Sequence, residues 1–269
     1  MPRTRRVRGI RPFLARVRRD AGHRHETCCG GARPVSSNTV DAVDTDRRRI
    51  DVVRVFTDPS GRFGNPLGIV RAAQLGDRDP QELAATLGYS ETVVVGEPAD
   101  GTAELRIFTP MVELPFAGHP TIGTAWWLAD HGTAVETLLV TAGKVQVSRA
   151  DGMTWVRARP DWAPEFTFHE LGDADDVVAA DPAHYPAGQH YVWAWVDQER
   201  GAIRSRMFAP GLGVAEDEAT GAAAVALTAR LRRSLRIVQG QGSQLFTSWD
   251  SDGWVDLGGR VAAADPVQA

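Results

Sequence analysis

The feature that most constrains the fold of this chain is a short motif that occurs twice, about 100 residues apart. Arg-Ile-Phe-Thr-Pro at residues 106–110 matches Arg-Met-Phe-Ala-Pro at residues 206–210. A polar loop follows each copy, and then a Thr-Gly-containing helix start, at residues 121–123 and at residues 220–221. A repeated unit of this size predicts two similar domains related by duplication.

Each copy of the motif lies in the same pattern of secondary structure. In the first copy, alternating apolar residues predict a strand over residues 104–108, and a helix should follow over residues 120–130. In the second copy we expect a strand over residues 203–208 and a helix over residues 219–233. Residues 160–190 show no clear period and are expected to be irregular. Each copy of the motif is thus expected to combine a strand with the helix that follows it.

A further helix is predicted before the first copy of the motif. Asp79 suits the N-cap of this helix and Pro80 suits its first position. Gly88 suits its end, because glycine readily adopts the left-handed conformation that closes many helices.

The first 50 residues differ from the rest in charge. They hold 13 arginines, no lysine and 5 acidic residues, although the whole chain has a net charge of −4. This segment is compatible with a disordered tail, translated sequence upstream of the true start, a nucleic-acid-binding arm or a targeting peptide. We expect a disordered tail over residues 1–49, an N-terminal domain over residues 50–147 and a C-terminal domain over residues 148–269.

The composition of the body of the protein excludes several classes of function. Beyond residue 50 acidic residues outnumber basic ones, which gives no electrostatic footprint for nucleic acid. No apolar run approaches the ~20 residues of a membrane-spanning helix, so we expect a cytoplasmic protein. Cys28 and Cys29 are adjacent and form no disulfide framework. With His23 and His25 they match no common zinc spacing, so no metal site is expected.

The two predicted helix starts indicate a site for a small anion. A helix N-terminus presents unpaired N–H groups and a partial positive charge, and it therefore binds carboxylates. Gly118, Gly123 and Gly221 would let a ligand approach the backbone closely. If the two domains face each other, both helix starts point into one cleft.

Six ionisable side chains lie near these loops: Glu91, Glu113, His119, Glu216, Asp217 and Glu218. Carboxylates before a helix are often caps, and His119 could be an ordinary loop residue. Glu91 lies between a helix and an apolar strand, where we expect burial to raise the pKa of its carboxyl and suit it to acid/base work.

Five motifs in order resemble the PhzF-like family of phenazine-biosynthesis isomerases, over about residues 51–262. The motifs are Val55-Phe56-Thr57-Asp58 with Gly64-Asn65-Pro66-Leu67, Tyr89-Ser90-Glu91-Thr92, Ile107 to Pro110 with Glu113 to Thr121, Phe208-Ala209-Pro210 with Glu216 to Ala223, and Val238-Gln239-Gly240 with Leu257-Gly258-Gly259.

The resemblance implies an α/β fold of the diaminopimelate-epimerase type, in which two similar domains each curl a mostly antiparallel sheet around a central helix. It implies a homodimer without a cofactor that moves a proton between carbons of a small unsaturated or cyclic carboxylic acid. Glu91 would be the acid/base, with His119 and Asp217 assisting. The substrate would be bound by Gly118, Gly221, Ala222 and Asn65.

Some positions depart from the pattern of that family. Glu218 stands where the family usually has proline, and Ala222 where it usually has serine. These changes speak against the phenazine substrate and leave the fold unaffected. Diaminopimelate epimerase itself is disfavoured because it uses two cysteines as bases, and residues 51–269 contain none. A two-base epimerase with Asp217 as second base, and a non-catalytic binding protein, stay open.

The charge of residues 1–49 generates a testable prediction. A segment rich in like charge and without apolar periodicity cannot offset the entropy cost of ordering. A protein that begins near Ile50 should therefore match the full chain in melting temperature and in dimerisation, measured by calorimetry and by light scattering. A clear drop in either quantity would show that the segment packs on the body.

Overall fold

The computed structural model describes residues 49–212 and 214–268, all of which belong to one compact unit, Asn38–Ala269. The predicted tail therefore lies outside the described residues except for Arg49, which begins the first strand. The cysteines and histidines at positions 23–29 also lie outside them. Among the described residues, no helix combines the length and the apolar character needed to cross a membrane.

The first half of the described chain contains eight strands and three helices. In chain order they are β1 (Arg49–Thr57), β2 (Asn65–Arg71), α1 (Ala72–Leu75), α2 (Pro80–Leu87), β3 (Glu91–Val95), β4 (Thr102–Phe108), β5 (Glu113–Leu114), α3 (Gly118–Asp130), β6 (Thr137–Val140), β7 (Gly143–Ala150) and β8 (Met153–Ala158). The boundary predicted between residues 147 and 148 falls inside β7, and the division into two domains stays a prediction.

The second half contains seven strands, two helices and three short 3-10 turns (Pro160–Trp162, Pro182–His184 and Pro210–Leu212). The strands and helices are β9 (Thr167–Glu170), α4 (Ala174–Ala179), β10 (His190–Asp197), β11 (Ala202–Ala209), β12 (Val214–Asp217), α5 (Gly221–Leu231), β13 (Leu235–Gln239), β14 (Ser243–Trp249) and β15 (Val255–Gln268). The expectation that residues 160–190 are irregular is wrong, because β9 pairs in parallel with β10 and α4 packs against β10 and β11.

The strands form one continuous, mostly antiparallel sheet in the order β1-β2-β3-β4-β6-β7-β8-β15-β14-β13-β11-β10-β9. The long strand β15 serves both halves of it. Its first residues, 255–259, pair with β8, and its later residues, 260–268, pair with β1. The pairing with β1 closes the first half of the sheet into a barrel.

A helix lies against the inner face of each half. Helix α3 packs on β1, β2, β3, β8 and β15, and α5 packs on β14 and β15. Ten of the thirteen residues of α3 are buried, which matches a helix surrounded by sheet. This arrangement of curled sheets around central helices confirms the predicted fold class.

The predicted repeat is present as a repeated set of contacts. Arg106 on β4 donates two hydrogen bonds to Glu113 on β5, at 2.9 and 2.8 Å. Arg206 on β11 donates two to Glu216 on β12, at 2.8 and 2.7 Å. The guanidinium of each arginine also lies over a phenylalanine ring two residues further along its strand. The two halves therefore share local packing as well as sequence.

The boundaries predicted for residues 79–88 are confirmed. The Asp79 carboxylate accepts a hydrogen bond from the backbone N–H of Gln81, and Pro80 is the first residue of α2. Gly88 closes α2 in the left-handed conformation, with φ of 67°.

The two central helices begin at different residues from those predicted. Helix α3 begins at Gly118, two residues before Pro120, and α5 begins at Gly221, two residues after Ala219. Gly118 and His119 are therefore the first helical residues of α3. The glycine equivalent to Gly221 is Gly118, although the sequence motif aligned it with Gly123.

Gly123 has a packing role of its own inside the barrel. A Cβ atom at this position would lie 2.5 Å from Cδ2 of Leu67 and 2.8 Å from Cγ2 of Val55. Both distances are shorter than carbon atoms allow, so the absence of a side chain at Gly123 lets α3 approach β1 and β2 this closely.

We predict that Gly123→Val lowers the free energy of unfolding by at least about 1–3 kcal/mol, the usual cost of overpacking a core. Urea unfolding measures the change. Ala85→Val is the matched control, because Ala85 is exposed on α2 and a valine there costs only helix propensity, about 0.6 kcal/mol. Equal effects of the two substitutions would contradict this account of the packing.

Candidate active site

A cavity of about 440 Å³ lies where the two repeated units meet. Its buried end is lined by Ser90 and Glu91 from the first half of the chain and by Asp217, Thr220 and Ala222 from the second half. Its outer part is lined by residues that include Met111 and Val112, whose side chains are largely exposed. The structure thus brings the two predicted carboxyl groups, Glu91 and Asp217, into one cavity.

Glu91 is held by a histidine behind it. Glu91 is the first residue of β3, and His119 lies in the first turn of α3. The two side chains are joined by a hydrogen bond of 2.9 Å between Nδ1 of His119 and Oε2 of Glu91. Nε2 of His119 is buried and has no hydrogen-bond partner among the described residues. With a proton on Nδ1, His119 donates this hydrogen bond to the carboxylate.

The expectation that burial raises the pKa of Glu91 is wrong in its net direction. Burial does push the pKa of this carboxyl upward and is the largest single influence on it. The electrostatic attraction of His119, the hydrogen bond that His119 donates and the neighbouring hydroxyl of Ser90 act in the opposite direction, and together they lower the pKa of Glu91 below its ordinary value. Glu91 is therefore ionised at neutral pH, and the ionised carboxylate is the form that can accept a proton.

Asp217 is shifted the other way. It ends β12 and accepts hydrogen bonds from Nδ2 of Asn65, at 2.6 Å, and from Oγ1 of Thr220, at 2.5 Å. Burial, and then the negative charge of Glu91, raise the pKa of Asp217 to about 6. The same cavity therefore holds one carboxyl that is readily ionised and one that binds a proton more tightly, which is the usual arrangement of an acid and a base.

A network of amides and hydroxyls connects Asp217 with Ser90, the residue before Glu91. Oγ of Ser90 donates to Oδ1 of Asn65 at 3.1 Å, and Nδ2 of Asn65 donates to Asp217. Nε2 of Gln239 lies 2.9 Å from both the backbone oxygen of Asp217 and Oγ1 of Thr220. The sequence-based list of site residues omitted Ser90, Thr220 and Gln239. Ser90 and Thr220 could have been found because they adjoin Glu91 and Gly221 in the motifs.

The N-termini of the two central helices touch each other at Gly118 and Gly221. A Cβ atom on Gly118 would lie 3.2 Å from Cα of Gly221, and one on Gly221 would lie 3.1 Å from Cα of Gly118. Both would also collide with Cδ2 of Leu257, at 2.5 and 2.8 Å. These glycines are therefore required for helix–helix contact, whether or not they also contact a substrate.

The other predicted site residues occupy distinct positions. Ala222 lines the cavity, whereas His119 and Asn65 lie behind it and hold Glu91 and Asp217. The three remaining acidic candidates have structural partners: Glu113 and Glu216 pair with arginines, and Glu218 accepts hydrogen bonds from the backbone N–H of Gln241 and from Oγ of Ser243. Among the described residues, no group of three or more His, Cys, Asp or Glu is placed to hold a metal ion.

Relatives of known name resemble the chain over most of its length. It is 32% identical over 223 residues to the "Trans-2,3-dihydro-3-hydroxyanthranilate isomerase" of Pseudomonas fluorescens, an alignment that covers 68% of this chain and 80% of that protein. It is 33% identical over 222 residues to the protein of the same name from Pseudomonas chlororaphis, with the same coverage.

Solved structures share the fold. A PhzF-family phenazine biosynthesis protein from Bacillus anthracis superposes with a TM-score of 0.67 at 20% identity, over 82% of this chain and 98% of that one. A hydroxyproline epimerase from Agrobacterium vitis superposes with a TM-score of 0.56 at 14% identity, over 82% of this chain and 92% of that one. At these identities the likeness concerns the fold alone.

The family assignment rests on the sequence as a whole. A family model described as "Phenazine biosynthesis-like protein" matches residues 53–161 and 173–251, which together make up more than half of the chain. These two segments contain Glu91, His119 and Asp217, the residues whose geometry forms the candidate site. The chain therefore belongs to the phenazine biosynthesis-like (PhzC-PhzF) protein family.

Proposed function

We propose that this protein is a cofactor-independent isomerase that moves a proton between two carbons of a small unsaturated or cyclic carboxylic acid, with Glu91 as the group that carries the proton. The observation that supports this role most directly is the buried pair of Glu91 and His119 beside Asp217 in one cavity. Isomerase is also the activity for which the relatives are named. The compound in their name, trans-2,3-dihydro-3-hydroxyanthranilate, is the first substrate to test.

The proposed reaction begins with Glu91 as a base. A proton on a carbon next to a conjugated system is weakly acidic, and its removal needs a positioned carboxylate. The lowered pKa of Glu91 keeps this carboxylate ionised before the reaction. After it accepts the proton, Glu91 is a carboxylic acid that can deliver the same proton to another carbon on the same face. His119 stays hydrogen-bonded to the second oxygen of Glu91 and fixes its orientation.

Asp217 is proposed to act on the substrate from the other side of the cavity. With a pKa of about 6 it carries a proton part of the time near neutral pH. In that form it donates a hydrogen bond to an oxygen on which negative charge develops, and such a bond stabilises the transition state. Backbone N–H groups at the start of α5, next to Ala222, are in a suitable place to bind the substrate carboxylate.

A two-base epimerase is the second candidate, and one observation favours it. Asp217 faces the same cavity as Glu91 and could accept a proton from the opposite face of a substrate carbon. The two mechanisms differ in the fate of the proton. With a single base, a fraction of the product molecules retains the substrate's own proton, whereas a second base exchanges its proton with solvent.

The homodimer stays a prediction under both mechanisms.

We predict that Glu91→Gln folds normally and still binds substrate, but loses at least about a hundredfold in kcat, since acid/base catalysis contributes roughly 10²–10⁴-fold. Glutamine keeps the size of the side chain and can accept the hydrogen bond from His119, but it cannot carry the proton. Glu97→Gln, at an exposed position, is the matched control and should keep full activity. A Glu91→Gln variant that turns over substrate at nearly the wild-type rate would contradict the proposed mechanism.

The same assay run in deuterated water separates the two candidates. Under the proposed mechanism part of the product contains no solvent deuterium at the receiving carbon, as measured by mass spectrometry at early times. Complete deuteration from the first turnover would favour the two-base epimerase instead.

We predict that Asp217→Asn changes the pH dependence of stability. The pKa of Asp217 is raised on folding, so its favourable contribution is complete below about pH 4 and is lost as pH rises through about 6. Asparagine does not ionise, so the variant does not lose stability in this way as pH rises. The free energy of unfolding of the variant, relative to wild type, should therefore rise by about 1 kcal/mol between pH 5 and pH 8.

Urea unfolding at the two pH values, without ligand, measures this difference. Asp77→Asn is the matched control for replacing an aspartate, because Asp77 is exposed and is not among the residues that line the cavity. If the Asp217→Asn difference stays constant or falls as pH rises, Asp217 does not hold its proton as described.

A further inference from the structure

Beyond its two carboxyls the wall of the cavity is mostly apolar, with three hydroxyl side chains and one amide among its lining residues. Phe116, Trp162 and Phe166 form an aromatic side, and Leu114 and Met207 add aliphatic contacts. The rings of Phe116 and Trp162 pack against each other, with centroids 5.5 Å apart. The aromatic side is thus a firm surface that can accept an apolar group.

The hydroxyl groups of the wall are already bonded within the protein. Oγ of Ser90 donates to Asn65, Oγ1 of Thr220 donates to Asp217, and Oγ1 of Thr109 donates to the backbone oxygen of Val112. A ligand carbonyl or carboxylate placed against this wall would find no free hydroxyl proton to accept, which is unfavourable in a desolvated site. Apolar groups carry no such penalty.

The cavity has more room than a single ring requires. A cavity of roughly 150 Å³ is large enough to bind benzene. The volume here, about 440 Å³, is close to three times that. A small cyclic acid held at Glu91 and Asp217 would therefore leave much of the apolar space unfilled.

The outer rim extends the apolar surface to solvent. Met111 and Val112 are 63% and 50% exposed, and both line the cavity. The turn that carries them is held by Thr109, whose Oγ1 accepts hydrogen bonds from the backbone N–H groups of both residues. Contiguous apolar surface that continues from a cavity to solvent is typical of ligand-binding grooves.

The charges of the lining side chains also limit how many carboxylates the substrate can carry. Glu91 and Asp217 both line the cavity, and none of the lining residues is Lys, Arg or His. A second carboxylate on the substrate would face two protein carboxyls without a cationic side chain to offset them. The cavity therefore disfavours dicarboxylates.

We propose that the substrate is a monocarboxylic acid with an alkyl or aryl group that lies against Trp162 and Phe166 and reaches the rim at Met111. This inference rests on the proposed function in one respect, namely that Glu91 and Asp217 mark the end of the cavity where the chemistry occurs. The apolar group determines specificity, and each buried methylene strengthens binding about fourfold.

The test measures binding rather than turnover, so its outcome does not depend on the reaction. The dissociation constants of benzoate and of 4-methyl-, 4-ethyl-, 4-propyl- and 4-butylbenzoate are determined by isothermal titration calorimetry, for wild type and for Glu91→Gln. We expect the dissociation constant to fall about fourfold per methylene in both proteins. Terephthalate, which carries a second carboxylate, should bind more weakly than benzoate.

Two exposed residues provide a matched pair of variants. Met111 and Val196 are both 63% exposed, but only Met111 lines the cavity. Met111→Ser should reduce the gain in affinity that the longest alkyl chains provide. Val196→Ser should leave the dissociation constants of all the benzoates unchanged. Trp162→Ala should reduce the gain in affinity per methylene more strongly than Met111→Ser does. If the tryptophan variant fails to fold, Met111→Ser still tests the proposal.

Three results would overturn the inference: dissociation constants that do not fall with chain length, equal effects of Met111→Ser and Val196→Ser, or no binding by any member of the series. None of them bears on the proposed function, which depends on the activity of Glu91→Gln. Conversely, a Glu91→Gln variant that retains full activity and shows the expected series would refute the mechanism and leave the apolar specificity standing.

Discussion

The contact between the N-termini of α3 and α5 is the constraint on which the rest of the site depends. Gly118 and Gly221 touch there, with Leu257 of β15 packed against both. Both helices begin at this contact. The residues beside Gly118 and Gly221 in the sequence are therefore brought together from distant parts of the chain. His119 reaches Glu91 from one helix, and Thr220 reaches Asp217 at the other. A side chain at either glycine would separate the two helix starts and, with them, the two carboxyls.

Burial alone does not set the chemistry of the two carboxyls, because both are largely buried and their pKa values shift in opposite directions. Glu91 has an imidazole as its neighbour, which favours the ionised form. Asp217 has only neutral donors, Asn65 and Thr220, and it also experiences the charge of Glu91. The negative charge on Glu91, which His119 stabilises, therefore helps to raise the pKa of Asp217. This coupling means that a change at His119 would alter both groups.

Features set by neighbouring residues could be predicted from the sequence, whereas features set by distant contacts could not. The ends of α2 followed from Asp79, Pro80 and Gly88, which act within one turn of chain. The repeated strand and helix were visible for the same reason, and the motifs identified Glu91 and Asp217. The pairing of β15 with β1 joins residues some 200 positions apart, and β9 is stabilised by β10 rather than by its own pattern. The pKa direction of Glu91 was missed because it depends on His119.

The two halves of the repeat have diverged where they meet the cavity, and the proposed roles of Glu91 as base and Asp217 as acid depend on this divergence. The arginine–glutamate pairs at Arg106 and Arg206 are the same in both halves because they hold the strands together. The second helical residue, in contrast, is His119 in α3 and Ala222 in α5. One half supplies an imidazole that ionises a carboxylate, while the other presents a methyl group to the cavity. A symmetric pair of imidazoles would favour two ionised carboxylates, and neither would then hold the proton that an acid must donate.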